Sequence, residues 1–311
     1  MKPQREVFAD TLIQLARTNP DVLLLDADLA NSTKADRFAA AHPNKFFEMG
    51  IAEQNMVGVA AGLSSLGFVP WLSSFAVFFT HRAVDPIRML VAQSRANVKI
   101  GAAYAGLLTG YTGKTHQDVQ DLAIMRAMPG MTVLAPCDEF ECEAMIRWAT
   151  EYDGPVYLRL TRDAGPAVFN DNYGFSLGRT YQLSQGRDLL LISTGAQSAR
   201  CMEVARYLAE REISAGVLHV PSIKPVNAQE IVTSCESVPI AFTIEEHTVL
   251  GGLGGLVTEV LAEYLPKRVV RLGIEDRWGE SASNDDLLDH FGLSPMRLTE
   301  RIAAYLKSIK R

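Results

Sequence analysis

A glutamate opens a run of small apolar residues in Phe47-Glu48-Met49-Gly50-Ile51-Ala52-Glu53-Gln54-Asn55-Met56. From Ala52 onward, Val57, Val59, Ala60, Ala61 and Leu63 predict a helix buried on most of its surface, with Glu53 in its first turn. A carboxyl there can do either of two things. It can complement the positive end of the helix dipole. Alternatively, desolvated and protonated, it can wait for a nitrogen base to hydrogen-bond. Phe75 and Phe78, in Ser73-Ser74-Phe75-Ala76-Val77-Phe78-Phe79, are either core aromatics at helical spacing or flat faces for a heterocycle. His116 follows a loop rich in Gly and Thr, Gly106 to Gly113, and by itself reads as a surface residue. The glycines of Gly251 to Gly255 do not match dinucleotide or phosphate-loop spacings, and a turn with close helix packing is expected there.

The elements that must hold these residues alternate. Arg5 to Thr18 has the apolar spacing of an amphipathic helix, stopped by Asn19-Pro20. Val22-Leu23-Leu24-Leu25 is a continuous apolar run, as in a strand covered on both faces. It ends in a polar loop, Asp26 to Thr33, on the sheet edge where α/β proteins bind ligands. Strands are expected near Val69 to Leu72, Val98 to Ala102, Thr132 to Ala135 and Val156 to Leu160. Between them fall helices from Phe78 to Ala92, after Asp118, and from Glu139 to Thr150. Asp163 to Gly186 loses this periodicity, which divides the chain into a domain over 1–165, a linker over 166–186 and a domain over 187–311. The second part alternates again. It has strands at Asp188 to Ser193, Ala215 to Val220, Ala241 to Ile244 and Val269 to Leu272, and a last helix from Ser294-Pro295 to Lys310. Asn227 with Glu230 three residues on is a capping-box-like helix start. The fold class is α/β, with two doubly wound domains.

Bulk composition narrows the function. A chain of 311 residues with 48% apolar residues builds two cores and is not a disordered one. A net charge of -6 without a basic block argues against nucleic acid as partner. No apolar run approaches the roughly 20 residues that span a bilayer, and Met1 to Glu6 shows no secretory segment behind it. Cys137, Cys142, Cys201 and Cys235 are scattered, which suits a reducing cytoplasm, and no Cys/His cluster has zinc spacing.

Gly50-Ile51-Ala52-Glu53-Gln54, Ser73 to Phe79, Thr115-His116-Gln117 and Pro136-Cys137-Asp138 occur in the order and near the spacing of transketolase, a thiamine-diphosphate enzyme. The chain resembles the pyrimidine-binding domain of that family. Thr243-Ile244-Glu245-Glu246-His247 and its glycine run resemble the C-terminal domain shared with deoxyxylulose-phosphate synthase and 2-oxoacid dehydrogenase β subunits. The resemblance covers nearly the whole chain. It implies that Glu53 hydrogen-bonds N1′ of the cofactor aminopyrimidine, that Phe75 and Phe78 stack on that ring, and that Asp28 lies near the cofactor. It places His116 in the substrate channel and Arg162 on the acceptor phosphate, where a guanidinium fork fits. Arg5 and Ser32 resemble the remaining phosphate contacts.

Two positions depart from the pattern. Where the family reads Gly-Glu-Asp-Gly this chain has Gly110-Tyr111-Thr112-Gly113, so Thr112 replaces the aspartate that reads the sugar's C2 hydroxyl. Tyr104 stands where a histidine is usual. Both changes fall in the sugar channel, which points to a nonstandard ketose or aldose. The Gly-Asp-Gly with which full-length members hold Mg2+ and diphosphate does not occur in the chain. The resemblance therefore implies half of a split transketolase. Its partner would be a separate diphosphate-binding N-terminal subunit holding Mg2+, its assembly a heterotetramer, and its reaction the transfer of a two-carbon ketol unit between sugar phosphates. The alternatives are the β subunit of a 2-oxoacid dehydrogenase-type thiamine enzyme and a non-catalytic scaffold that kept the fold.

Overall fold

The structure is a computed structural model and describes residues 1–309. Its strands are β1 (Val22–Asp26), β2 (Phe46–Glu48), β3 (Val69–Phe75), β4 (Lys99–Ala103), β5 (Thr132–Leu134), β6 (Val156–Arg159), β7 (Tyr181–Ser184), β8 (Leu189–Ser193), β9 (Ala215–His219), β10 (Ser222–Lys224), β11 (Ala241–Thr248) and β12 (Val269–Ile274). They form one sheet in the order β10-β5-β6-β4-β3-β1-β2 and another in the order β12-β11-β8-β9-β7. Every pairing is parallel except the two edges, β10 on β5 and β7 on β9. The central strands β1, β3, β4 and β8 are buried along their whole length; β1 and β8 accordingly read as near-continuous apolar runs, whereas β3 and β4 also bury Ser73, Ser74 and Lys99. Both domains are thus α/β with mixed, mainly parallel sheets.

Four features differ from the sequence expectation. The stretch 166–186 contains β7, a short half-buried edge strand whose alternation is too brief to register as periodic. Strand β10 comes from the second half of the chain yet closes the edge of the first sheet, a non-local pairing that no local pattern announces. The single helix expected over Phe78 to Ala92 is broken into Ala76–His81, a turn at Val84–Pro86 and a π-helical stretch Ile87–Ala92. Pro86 explains the break, because it has no N–H to offer the carbonyl of Arg82 four residues earlier. The helix Glu53–Ser65 is buried only along Glu53, Met56, Val57 and Ala60, while Gln54, Asn55, Val59, Gly62 and Ser65 face outward. The last helix runs Pro295–Ile309; Lys310 lies outside the described residues. Among the described residues no helix is long and apolar enough to cross a membrane.

Buried polar groups join the domains. His219 at the end of β9 places Nε2 2.8 Å from Glu141 Oε2, and its Nδ1 lies 2.7 Å from Ser198 Oγ. Glu141 also accepts from the Cys137 amide and from the Tyr173 hydroxyl. Burial would push that carboxyl up, but the His219 imidazole and these donors hold it below the ordinary range. Folding thus gathers Cys137, Glu141 and His219, far apart in sequence, into one cluster. Its hydrogen bonds make it a clasp between the domains. The glycine run packs as expected: the amides of Leu253 and Gly254 donate to Glu245 at 2.7 Å each, so an internal carboxylate occupies that helix start.

Burial pushes three carboxyls up, Asp26 to about 6, Asp118 to about 7 with the Asp121 charge assisting, and Glu245 to about 7. Unfolded, each titrates at about 4. The folded chain therefore holds more protons between those values, and the stability these groups confer is present below about pH 4 and lost as pH rises through about 6 to 7. Asp118→Asn keeps an uncharged acceptor beside Thr80. Its melting temperature should gain on wild type between about pH 5 and about pH 8; a constant difference across that range would contradict burial as the cause.

Candidate active site

Strand β2 and the glycine turn at Gly50 (φ 69°) bring Glu53 to the sheet's carboxyl edge. Glu48 shapes this approach, accepting from the Asp28 amide at 2.8 Å and the Gly50 amide at 3.0 Å. Glu53 itself is only 3% exposed. It is not alone: Arg82 Nη1 lies 3.0 Å from Glu53 Oε1. The same guanidinium lies over the Phe78 ring with its carbon 3.9 Å from the centroid. The Arg82 carbonyl, freed by Pro86, accepts from Gln54 Nε2 at 2.8 Å, which ties the broken helix to the turn that carries Glu53.

Behind Phe78 runs a ladder of rings. Phe75 stacks on Phe78 at 5.6 Å and on Tyr104 at 4.0 Å between centroids, so rings stand on both of its sides. His116 meets Phe75 and Phe78 edge-on at 5.9 and 5.6 Å. Tyr104 holds a left-handed backbone at φ 57°, a strained conformation for a bulky residue. That conformation sets its ring against Phe75 and beneath two cations, with the Arg5 and Arg162 carbons 5.6 and 5.5 Å from its centroid. Arg5 donates to the Tyr104 hydroxyl at 2.7 Å and to the Ser32 carbonyl at 3.0 Å. Ser32 thus meets Arg5 through its backbone, while its hydroxyl bonds Asn31. The acid nearest to Arg162 is Asp163, at 3.9 Å, and the buried Nε atoms of both arginines have no partner. Two guanidiniums thus share one ring and form a cationic corner.

The other expected residues are spread around this corner. Asp28 is exposed at the loop after β1, again at positive φ. Thr112 is exposed on the loop that carries His116, its hydroxyl donating to Thr109 Oγ1 at 2.6 Å. The second domain fixes that loop. Glu246 Oε1 accepts from the Leu107 and Leu108 amides at 2.8 and 3.1 Å. Gln117 Nε2 donates to the carbonyls of Leu107 and Glu280. Sequence reasoning passed over Arg82, Glu48 and Glu246. Arg82 had a usable signal, standing four residues after Phe78 on one helical face. Glu246, and Glu48 in its bond to the Asp28 amide, act across sequence separations that leave none.

A flat group, the Arg82 guanidinium, is thus already seated against Glu53 and Phe78. Residues 2–167 match the transketolase pyrimidine binding domain and residues 178–298 the transketolase C-terminal domain. A Methanocaldococcus jannaschii protein named for the C-terminal section of a transketolase is 40% identical, over 98% of this chain and 97% of its own. A 6-deoxy-6-sulfo-D-fructose transketolase subunit from Clostridium sp. strain MSTE9 is 35% identical, over 93% and 90%. Among solved structures, a split gene transketolase described as an inactive β4 tetramer matches with a TM-score of 0.91 at 40% identity, covering 99% of each chain. Two domain matches spanning most of the chain, around a buried glutamate and an aromatic ladder, lead to one conclusion: the protein belongs to the transketolase family and carries its pyrimidine-binding and C-terminal domains.

Proposed function

We propose that this chain is the pyrimidine-gripping subunit of a split transketolase, transferring a two-carbon ketol unit from a ketose phosphate to an aldose phosphate. The observation that carries the reading is Glu53, buried at a helix start beside Phe78. When bound, thiamine diphosphate supplies the nucleophilic thiazolium carbon that carries the two-carbon unit. Glu53 holds a proton at N1′ of the aminopyrimidine, and its burial keeps water from competing for that bond. The resemblance implies stacking by both Phe75 and Phe78; in this reading the half-buried Phe78 offers its face to the ring, while the buried Phe75, itself stacked on Tyr104, supports Phe78 from behind. His116, edge-on to both phenylalanines, directs its polar ring toward substrate hydroxyls. Arg5 and Arg162 take the anionic tail of the sugar. A tail of phosphate or sulfonate suits them equally, and the sulfo-fructose relative supports a substrate outside the common sugar phosphates.

The partner in this reading holds Mg2+ and the diphosphate, and it covers the open face of helix Glu53–Ser65. That face presents Ile51 and Leu66, 73% and 74% exposed, at its two ends. Between them, Gly58 and Gly62 have nothing within 4 Å of an added Cβ. Each glycine weakens the helix by about 1 kcal/mol relative to alanine. Nothing inside the chain requires either glycine, whereas a closely approaching partner backbone would.

Mixing the chain with a diphosphate-binding transketolase subunit, and assaying ketol transfer from xylulose 5-phosphate to a panel of aldoses, tests the proposal. Turnover is expected from the mixture and none from the chain by itself. Thiamine-dependent turnover by this chain without a partner would overturn the split reading.

A further inference from the structure

The guanidinium of Arg82 touches the two groups that the proposed function assigns to the aminopyrimidine, the Glu53 carboxyl at 3.0 Å and the Phe78 face at 3.9 Å. A guanidinium and an aminopyrimidine are both flat and both present π faces, but their hydrogen bonds to Glu53 run in opposite senses: the guanidinium donates to the carboxylate, whereas N1′ accepts from its protonated form. With its carbon 3.9 Å from the centroid, the guanidinium is in van der Waals contact with the ring and leaves no room for a second plane between them. The two ends of the residue differ in freedom. Its backbone is pinned, the amide donating to the Phe78 carbonyl and the carbonyl accepting from Gln54. Its side chain is 46% exposed, against 4% for that of Glu53, so the guanidinium can swing into solvent while the carboxyl stays.

We propose that Arg82 is a displaceable stand-in for the aminopyrimidine, occupying Glu53 and Phe78 until the ring enters and then swinging outward. The inference rests on the function proposed above and adds a consequence to it. Arg82 sets how tightly the pyrimidine is taken up, because binding breaks the ion pair and the cation–π contact, and Glu53, released from the cation, takes up one proton from solvent and donates it in a hydrogen bond to N1′. It also keeps the buried carboxyl partnered in a chain without cofactor, where an unpaired charge would be costly.

The test uses the full chain and an uncharged probe, the hydroxymethyl aminopyrimidine that forms the pyrimidine half of thiamine, so that removing a positive charge does not by itself favour binding. Isothermal titration would compare wild type, Arg82→Ala, Arg82→Lys, Glu53→Gln and the Glu53→Gln/Arg82→Ala double variant. Arg82→Ala should bind roughly 3- to 30-fold more tightly than wild type, the span expected for losing one exposed ion pair and one cation–π contact. Arg82→Lys, which keeps the charge but not the plane, should fall between them and guards against a folding defect in the alanine variant. The double variant should lose the gain. Equal or weaker binding by Arg82→Ala, or none detectable, overturns the stand-in. If Glu53→Gln weakens the probe while Arg82→Ala does not tighten it, only the stand-in falls. If Glu53→Gln changes nothing in either background, the pyrimidine-gripping role of Glu53 falls as well.

Discussion

Replacing Glu53 with glutamine should lower turnover of the assembled two-subunit enzyme by roughly 10²- to 10⁴-fold while thiamine diphosphate still binds. Glutamine keeps the size of the side chain and can still meet a ring nitrogen, but it neither gives up nor takes a proton. The loss should therefore fall on kcat, with little change in the amount of cofactor held. Burial makes this position costly to alter, since a residue 3% exposed has no water to substitute for the missing proton. Single-turnover kinetics together with a cofactor titration separate the two effects. Unchanged turnover in the glutamine variant would favour the scaffold reading of the chain.

Arg162→Ala should raise KM for a phosphorylated sugar by roughly 10- to 100-fold and leave kcat nearly unaltered, the cost of one lost hydrogen-bonded charge. The expectation follows from the corner around Tyr104, where two guanidiniums share a ring and both Nε donors are unpaired. Arg162 is the better site for this test, because Arg5 also ties down the Ser32 carbonyl and the Tyr104 hydroxyl. Losing Arg5 would disturb the aromatic ladder as well as the anion. An unphosphorylated aldose supplies the control, since its KM should not respond to Arg162→Ala. An equal loss on both sugars would place Arg162 in the framework and not on the anion.

The central strands were legible because burial on both faces writes itself as unbroken apolar runs, as in Val22–Asp26 and Leu189–Ser193. A helix start marked by local capping was equally plain: Asn227 accepts from an amide three residues on. The break after His81 could have been read from Pro86, but the apolar spacing from Phe78 to Ala92 outweighed it. Contacts between the halves were not legible, because Glu141 with His219 and Leu107 with Glu246 are joined only by folding. At the site, residue types made the acid and the rings candidates but gave no sign of the arginine seated on them. The helix after Glu53 looked like an interior helix, since small apolar residues serve a partner's surface as well as a core.

The account depends on a hydrogen bond between Glu53 and N1′ of the aminopyrimidine, and nitrogen NMR can observe it directly. Thiamine diphosphate labelled at N1′ would be bound to the assembled wild-type and Glu53→Gln enzymes. The account predicts that the wild-type N1′ resonance moves away from its free-cofactor position and that the glutamine variant abolishes most of that movement. Identical N1′ resonances in the two enzymes, with the cofactor bound in both, would contradict it.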